Sequence, residues 1–108
     1  MSQLSLFSQA DGRPLPLIVA GKWGFELRHA DHDGQDYFCT RDWIMGLQRC
    51  DAAKASRQMD FYRRTDLLSS TQEVTINRLR YDTAEILYRI TQAMRDLDGT
   101  AVGAIKDY

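Results

Sequence analysis

The sequence predicts one small α+β domain spanning residues 1–108. Its expected parts are N-terminal antiparallel β-hairpin structure, a helix-turn-helix-like pair and a longer C-terminal amphipathic helix. Three observations carry this. Apolar residues alternate at Trp23, Phe25 and Leu27, and a turn dipeptide, Asp33-Gly34, leads into the aromatic run Tyr37, Phe38, Cys39, which is hairpin patterning. Two stripes at helical spacing are separated by Cys50 and Asp51. A third runs from Ile86 to Leu97.

A chain of 108 residues buries one core and is too short for two. With 44% apolar and 27% charged residues, the composition is that of an ordinary globular protein and wholesale disorder is not expected. Cys39 and Cys50 are too few for a disulfide scaffold and lack a C-x-x-C spacing, so they read as reduced, packed thiols. No apolar run approaches the ~20 residues that span a bilayer. The start lacks a basic region followed by an apolar signal core. The expectation is a cytoplasmic protein with no membrane partner.

Gln3, Leu4, Ser5, Leu6 and Phe7 open the chain with a pattern that resembles the pentapeptide by which bacterial polymerases and repair factors bind the sliding clamp. Leu6 and Phe7 would fill an apolar pocket and Gln3 would hydrogen-bond its rim. The same letters also fit an edge strand with Leu4, Leu6 and Phe7 buried. Asp11 to Pro14 reads as a turn, and Leu15 to Val19, rich in branched residues, as a strand or extended segment.

The alternating Trp23 to Arg28 stretch reads as a strand, followed by a polar loop from His29 to Asp36 and the aromatic strand. His29, Asp31, His32 and Asp33 lie close together in that loop. No helix carries their spacing and nothing elsewhere completes a tetrahedral set, so the loop is read as solvated rather than metal-binding. No cofactor is implied.

Thr40 is positioned to cap a helix from Arg41 to about Arg49, with Trp43, Ile44 and Leu47 as its buried stripe. Gly46 weakens that helix unless it packs closely against the next. Asp51 can cap the following helix, Ala52 to Arg64, whose apolar side is Ala52, Ala55, Met59 and Tyr62. Opposite lie Lys54, Arg57, Phe61 and Arg64. Three cations around one ring can hold phosphates and pack against a base; the competing reading is a solvated basic face with Phe61 tucked under the next loop.

Thr65 to Glu73 reads as a loop in which Leu67 and Leu68 must find packing. Val74 to Tyr81 reads as a strand projecting Arg78 and Arg80 from one face, either as a wing on nucleic acid or as a solvated edge. Asp82, Thr83, Ala84 and Glu85 have capping-box spacing. The helix they start carries Ile86, Leu87, Ile90, Ala93, Met94 and Leu97 on one stripe, with Gly99 as its stop. Ala101 to Tyr108 resumes an apolar pattern, as if the natural chain continues as helix.

Charge is unevenly spread. Residues 41–95 carry ten basic and seven acidic residues, +3, while the flanks carry four and eight, −4, so the total of −1 hides a basic middle. No Ser/His/Asp arrangement, glycine loop or metal-ligand spacing stands out, and an enzyme is not expected.

The order of features resembles the Bro-N domain, the N-terminal DNA-binding module of phage antirepressor-type and damage-inducible protein D-like proteins. Carrying the resemblance are Leu6 and Phe7, Tyr37 and Phe38, Arg41 to Ile44, Leu47, Ile76 to Leu79, and above all Thr83 to Gln92. The chain departs from the family at Asp51 to Lys54 and Phe61 to Arg64. The resemblance implies an α+β domain that binds DNA, as part of antirepression or the DNA damage response. The expected contacts are Lys54, Arg57, Phe61, Arg64, Arg78 and Arg80. The alternative is a protein-interaction module of phage or mobile-element origin, engaging a repressor, a defence protein or the sliding clamp through Gln3, Leu6 and Phe7. A homodimer through the Ile86 to Leu97 stripe or the C-terminal segment fits either reading.

Overall fold

A computed structural model describes residues 14–65, 67–68 and 73–94. In chain order the elements are α1 (Leu15–Trp23), β1 (His29–His32), β2 (Gln35–Cys39), α2 (Thr40–Gln48), α3 (Ala52–Arg64), β3 (Val74–Ile76), β4 (Leu79–Asp82) and α4 (Ala84–Ala93). The fold is α+β. Two hairpins join into one antiparallel sheet in the order β1-β2-β4-β3. No helix among the described residues is long and apolar enough to cross a membrane.

The segment expected to be extended after Pro14 is helix α1. Pro14 and Pro16 cost nothing there, because the first amides of a helix have no intrahelical acceptor. The amides of Leu17 and Ile18 donate to the Pro14 carbonyl at 3.0 and 3.3 Å. Burial of Ile18, Val19 and Ala20 outweighs the strand preference of the branched residues. Gly24, at φ 76°, ends the helix in a left-handed turn.

The first hairpin forms around the expected turn but is displaced toward it. Asp33 and Gly34 take φ 55° and 78°, the two left-handed positions of a type I′ turn, and His32 pairs with Gln35 across it. Backbone pairing therefore runs through the polar residues 29–32, where a loop is expected, while residues 24–28, where a strand is expected, form no regular element. The alternation at Phe25 and Leu27 recorded side-chain burial rather than strand pairing: both pack on the main core.

That core surrounds α2, with Trp43, Ile44 and Leu47 essentially inaccessible to water. Trp43 Nε1 donates to Thr91 Oγ1 at 2.8 Å, and Thr91 in turn donates to the Leu87 carbonyl, so the indole's one polar atom is satisfied inside α4. Phe38 points into this core, while Tyr37, Cys39 and Tyr81 make a second cluster on the other face of the sheet. Leu68 is fully buried and Leu67 half-buried, which gives the loop leucines their packing.

Several local expectations are refined. Thr40 is not a cap: it is the first helical residue, and its hydroxyl donates to Asp82 Oδ2 at 2.5 Å. At Gly46 the closest neighbour is the Phe25 ring, which an added Cβ would strike. Asp82 and Glu85 form no capping box, since Asp82 is a buried strand residue and Glu85 pairs with Arg89 at 2.7 Å. Over the described residues α4 has 10 residues against 13 in α3, so the C-terminal helix is not the longer one. Its buried side is also wider than a single stripe and takes in Tyr88 and Thr91, whereas Ala93 is exposed. Leu97 and Gly99 lie outside the described residues.

The start of α2 is tied to the segment before β1 by Asp42. Its carboxylate accepts from Arg28 Nε and Nη2, both at 2.7 Å, and from the Arg28 amide at 3.1 Å. Burial pushes the Asp42 carboxyl up, but the Arg28 hydrogen bonds and charge outweigh it and hold the group below 3.8. A depressed carboxyl contributes stability that is present above the unfolded value and lost as pH falls through the folded one. Urea midpoints of the wild type should therefore fall below pH 3.8 more steeply than those of Asp42→Asn. Gly46→Ala, which by helix propensity alone would stabilise α2, should instead cost about 1–3 kcal/mol in urea unfolding because the Phe25 ring would have to shift.

Candidate nucleic-acid interface

Helix α3 is positioned by its cap and by its inner face. Asp51 accepts from the Lys54 amide at 2.8 Å, as its sequence position implies. Arg49, at φ 52°, makes the tight turn that lets α3 follow α2 after three residues, the connection length of a helix-turn-helix. Ala55, Met59 and Tyr62 are buried against the core. Gln58 links the two helices, donating to Gln48 Oε1 and accepting from the Tyr62 hydroxyl at 3.0 Å.

The opposite face is open. Lys54, Arg57, Phe61 and Arg64 are all exposed and lie together on it. Phe61 is 57% exposed, the one large apolar side chain so exposed among the described residues, so it is not tucked under the following loop. Its ring meets Tyr62 edge-on at 5.8 Å. Among the described residues no carboxylate pairs with Lys54, Arg57 or Arg64; Asp60 on the neighbouring flank pairs with Arg63 at 2.9 Å.

The second hairpin separates the two arginines expected to share a face. Asn77 and Arg78, at φ 52° and 67°, are the turn itself, and Arg78 stands exposed at its tip. Arg80 lies in β4 and is buried, so it is removed from the contact face. Its guanidinium donates to Asp82 Oδ2 and Oδ1 at 2.8 and 3.0 Å, to Glu73 Oε1 at 3.0 Å and to the Leu68 carbonyl at 3.2 Å. The alternation that suggested a shared face assumed an unbroken strand, whereas the chain reverses at residues 77–78.

Between α3 and this turn lies a cleft of about 150 Å³, lined by Arg41, Ser56, Asp60, Arg63, Arg78 and Arg80 among others. Arg41 Nε is buried there without a hydrogen-bond partner among the described residues. Neither Arg41 nor Arg63 belongs to the basic face that helical spacing marks in the sequence. One available signal was Arg41 itself, a cation in the first turn of a helix, where the macrodipole disfavours positive charge.

Elsewhere the polar chemistry is structural. Arg28 is held by Asp42, and Arg49 donates to the Trp23 carbonyl at 2.8 Å while its guanidinium lies 5.6 Å from the Trp23 ring centre. Burial pushes the Cys39 and Cys50 thiols up, away from reactive thiolate. No group of three or more His, Cys, Asp or Glu residues able to hold a metal ion occurs among the described residues. Gln3, Leu6 and Phe7 lie outside the described residues.

The chain matches no family model, no curated protein and no solved structure, so the resemblance to the Bro-N domain rests on the residues quoted for it.

The adjacent rings of α3 should separate in unfolding experiments. Phe61→Ala should change stability by no more than about 0.5 kcal/mol, whereas Tyr62→Ala, which empties a buried site and frees Gln58, should cost about 3–5 kcal/mol.

Proposed function

We propose that this domain binds DNA through the exposed face of α3. Lys54, Arg57 and Arg64 neutralise backbone phosphates, Phe61 packs against a base or sugar, and Arg78 reaches the backbone from the tip of the β3–β4 turn. One observation carries the reading: an exposed aromatic ring set among three cations that no carboxylate engages among the described residues. A ring in water is a cost without a partner, and cations left unpaired beside it suit an anionic polymer with apolar faces. The resemblance to the Bro-N domain supports the same helix and extends the reading to a phage antirepressor-type or DNA-damage-response role; a cytoplasmic location and homodimerisation through the C-terminal apolar stripe are separate expectations from the sequence.

The modest local charge sets the strength of binding. Three or four phosphate contacts correspond to a slope of about −3 in log K against log salt. In fluorescence anisotropy over a salt series, Arg57→Ala/Arg64→Ala should abolish most binding and flatten that slope by about two, while Arg78→Ala weakens it less. Binding that persists unchanged in the double variant would overturn the assignment.

The near-zero total charge of −1 favours a second reading, a protein-interaction module engaging a repressor, a defence protein or the sliding clamp. Capture by purified clamp that is lost on changing Leu6 and Phe7 to Ala would establish the clamp form of it.

A further inference from the structure

We infer that the cleft between α3 and the β3–β4 turn is a phosphate-binding site, in which Arg41, Arg63 and Arg78 hold one phosphoryl group. The inference goes beyond binding by the exposed face of α3 and shares only Arg78 with it.

Arg41 supplies the first argument. Its Nε lies buried with no acceptor among the described residues, and an unsatisfied buried donor costs its full desolvation penalty. An acceptor brought by a ligand resolves that cost. Charge supplies the second. Arg80 also lines the cleft, but Asp82 and Glu73 already engage it, which leaves Arg41, Arg63 and Arg78 facing one carboxylate, Asp60. With Arg80 and both of its carboxylates included, four arginines meet three carboxylates, an excess of about one positive charge, which suits a singly charged phosphoryl group such as a backbone phosphate. Asp60 opposes the ligand only weakly, because it is largely solvated and its oxygen is held by Arg63 at 2.9 Å.

Shape distinguishes the ligand from a carboxylate. The donors come from three separate elements: Arg41 from the first turn of α2, Arg63 and the Ser56 hydroxyl from the flank of α3, and Arg78 from the hairpin tip. A planar carboxylate is best met by one guanidinium fork, while a tetrahedral phosphoryl group presents oxygens toward several directions at once. The cavity of about 150 Å³ is larger than a single water fills. The phosphoryl group has two possible sources, a nucleic-acid backbone or a free phosphate or mononucleotide, and the chemistry at the arginines is the same for both.

The test follows arginine Nε–H resonances of the full chain while sodium phosphate replaces chloride at constant ionic strength. The Arg41 Nε–H signal should move saturably together with that of Arg63. Arg78→Gln, an exposed change at a turn, should weaken the apparent affinity about tenfold, and Arg41→Gln should remove the response of the Arg63 Nε–H signal. The response to phosphate should persist in Arg57→Ala/Arg64→Ala, which separates this site from the α3 face whether or not that face binds DNA. Displacement of phosphate from Arg41 by a short DNA duplex assigns the site to a backbone phosphate; adenosine monophosphate binding without competition from the duplex assigns it to a free phosphoryl ligand. Absence of any Arg41 shift at roughly 10 mM phosphate, or a shift equal in chloride or unaltered in folded Arg78→Gln, would overturn the inference.

Discussion

A carboxylate sealed from water, that of Asp82, holds the two halves of this domain in register. It accepts from the Thr40 hydroxyl and from two nitrogens of Arg80, joining the first residue of α2 to the second hairpin. Arg80 then extends the network to the Leu68 carbonyl and to Glu73, so the loop after α3 is tied in as well. Buried charges tolerate little rearrangement: removing one partner leaves another unpaired in a medium that solvates it poorly. The backbone junction between the hairpins is short, with Phe38 opposite Asp82 and Cys39 opposite Tyr81. Side-chain bonds therefore supply much of the geometric definition that a longer ladder would provide.

Everything proposed for function depends on that junction. The distance from the hairpin tip to α3 decides whether Arg78 and the helix act on one ligand, and both the open face and the cleft use it. Helix α3 is held from the other side by Ala55, Met59 and Tyr62 in the core and by Gln58 reaching Gln48. Its outer residues carry no share of this packing. Lys54, Arg57, Phe61 and Arg64 are thus available to a partner without disturbing what positions them.

The charge distribution follows the same division. Arg28 and Arg80 hold the fold together through buried or half-buried carboxylates, and their charge is spent internally. Arg57, Arg64 and Arg78 stand outside, and Arg41 lies between these groups, its Nε enclosed but unpaired among the described residues. A net charge near zero is consequently compatible with a locally basic surface, because the acids are concentrated in the flanks and in structural pairs.

Much was legible from the residues in order: the α+β class, the Asp33-Gly34 turn, α2, the Asp51 cap and the full extent of α3 with its buried and open faces. These depend on interactions between residues close in the chain, where spacing maps directly onto direction. What could not be read depended on partners far away. The segment after Pro14 became helix because the core rewarded its burial over its strand preference; Thr40 and Asp82, 42 residues apart, traded capping for a shared hydrogen bond. Arg78 and Arg80 parted because a turn between the strands reversed the alternation on which their shared face was inferred. By itself the sequence determined which residues of α3 face outward, since helical periodicity is local. Only the tertiary structure decided which arginines were consumed by the fold and which met at the cleft, since that depends on where distant carboxylates come to lie.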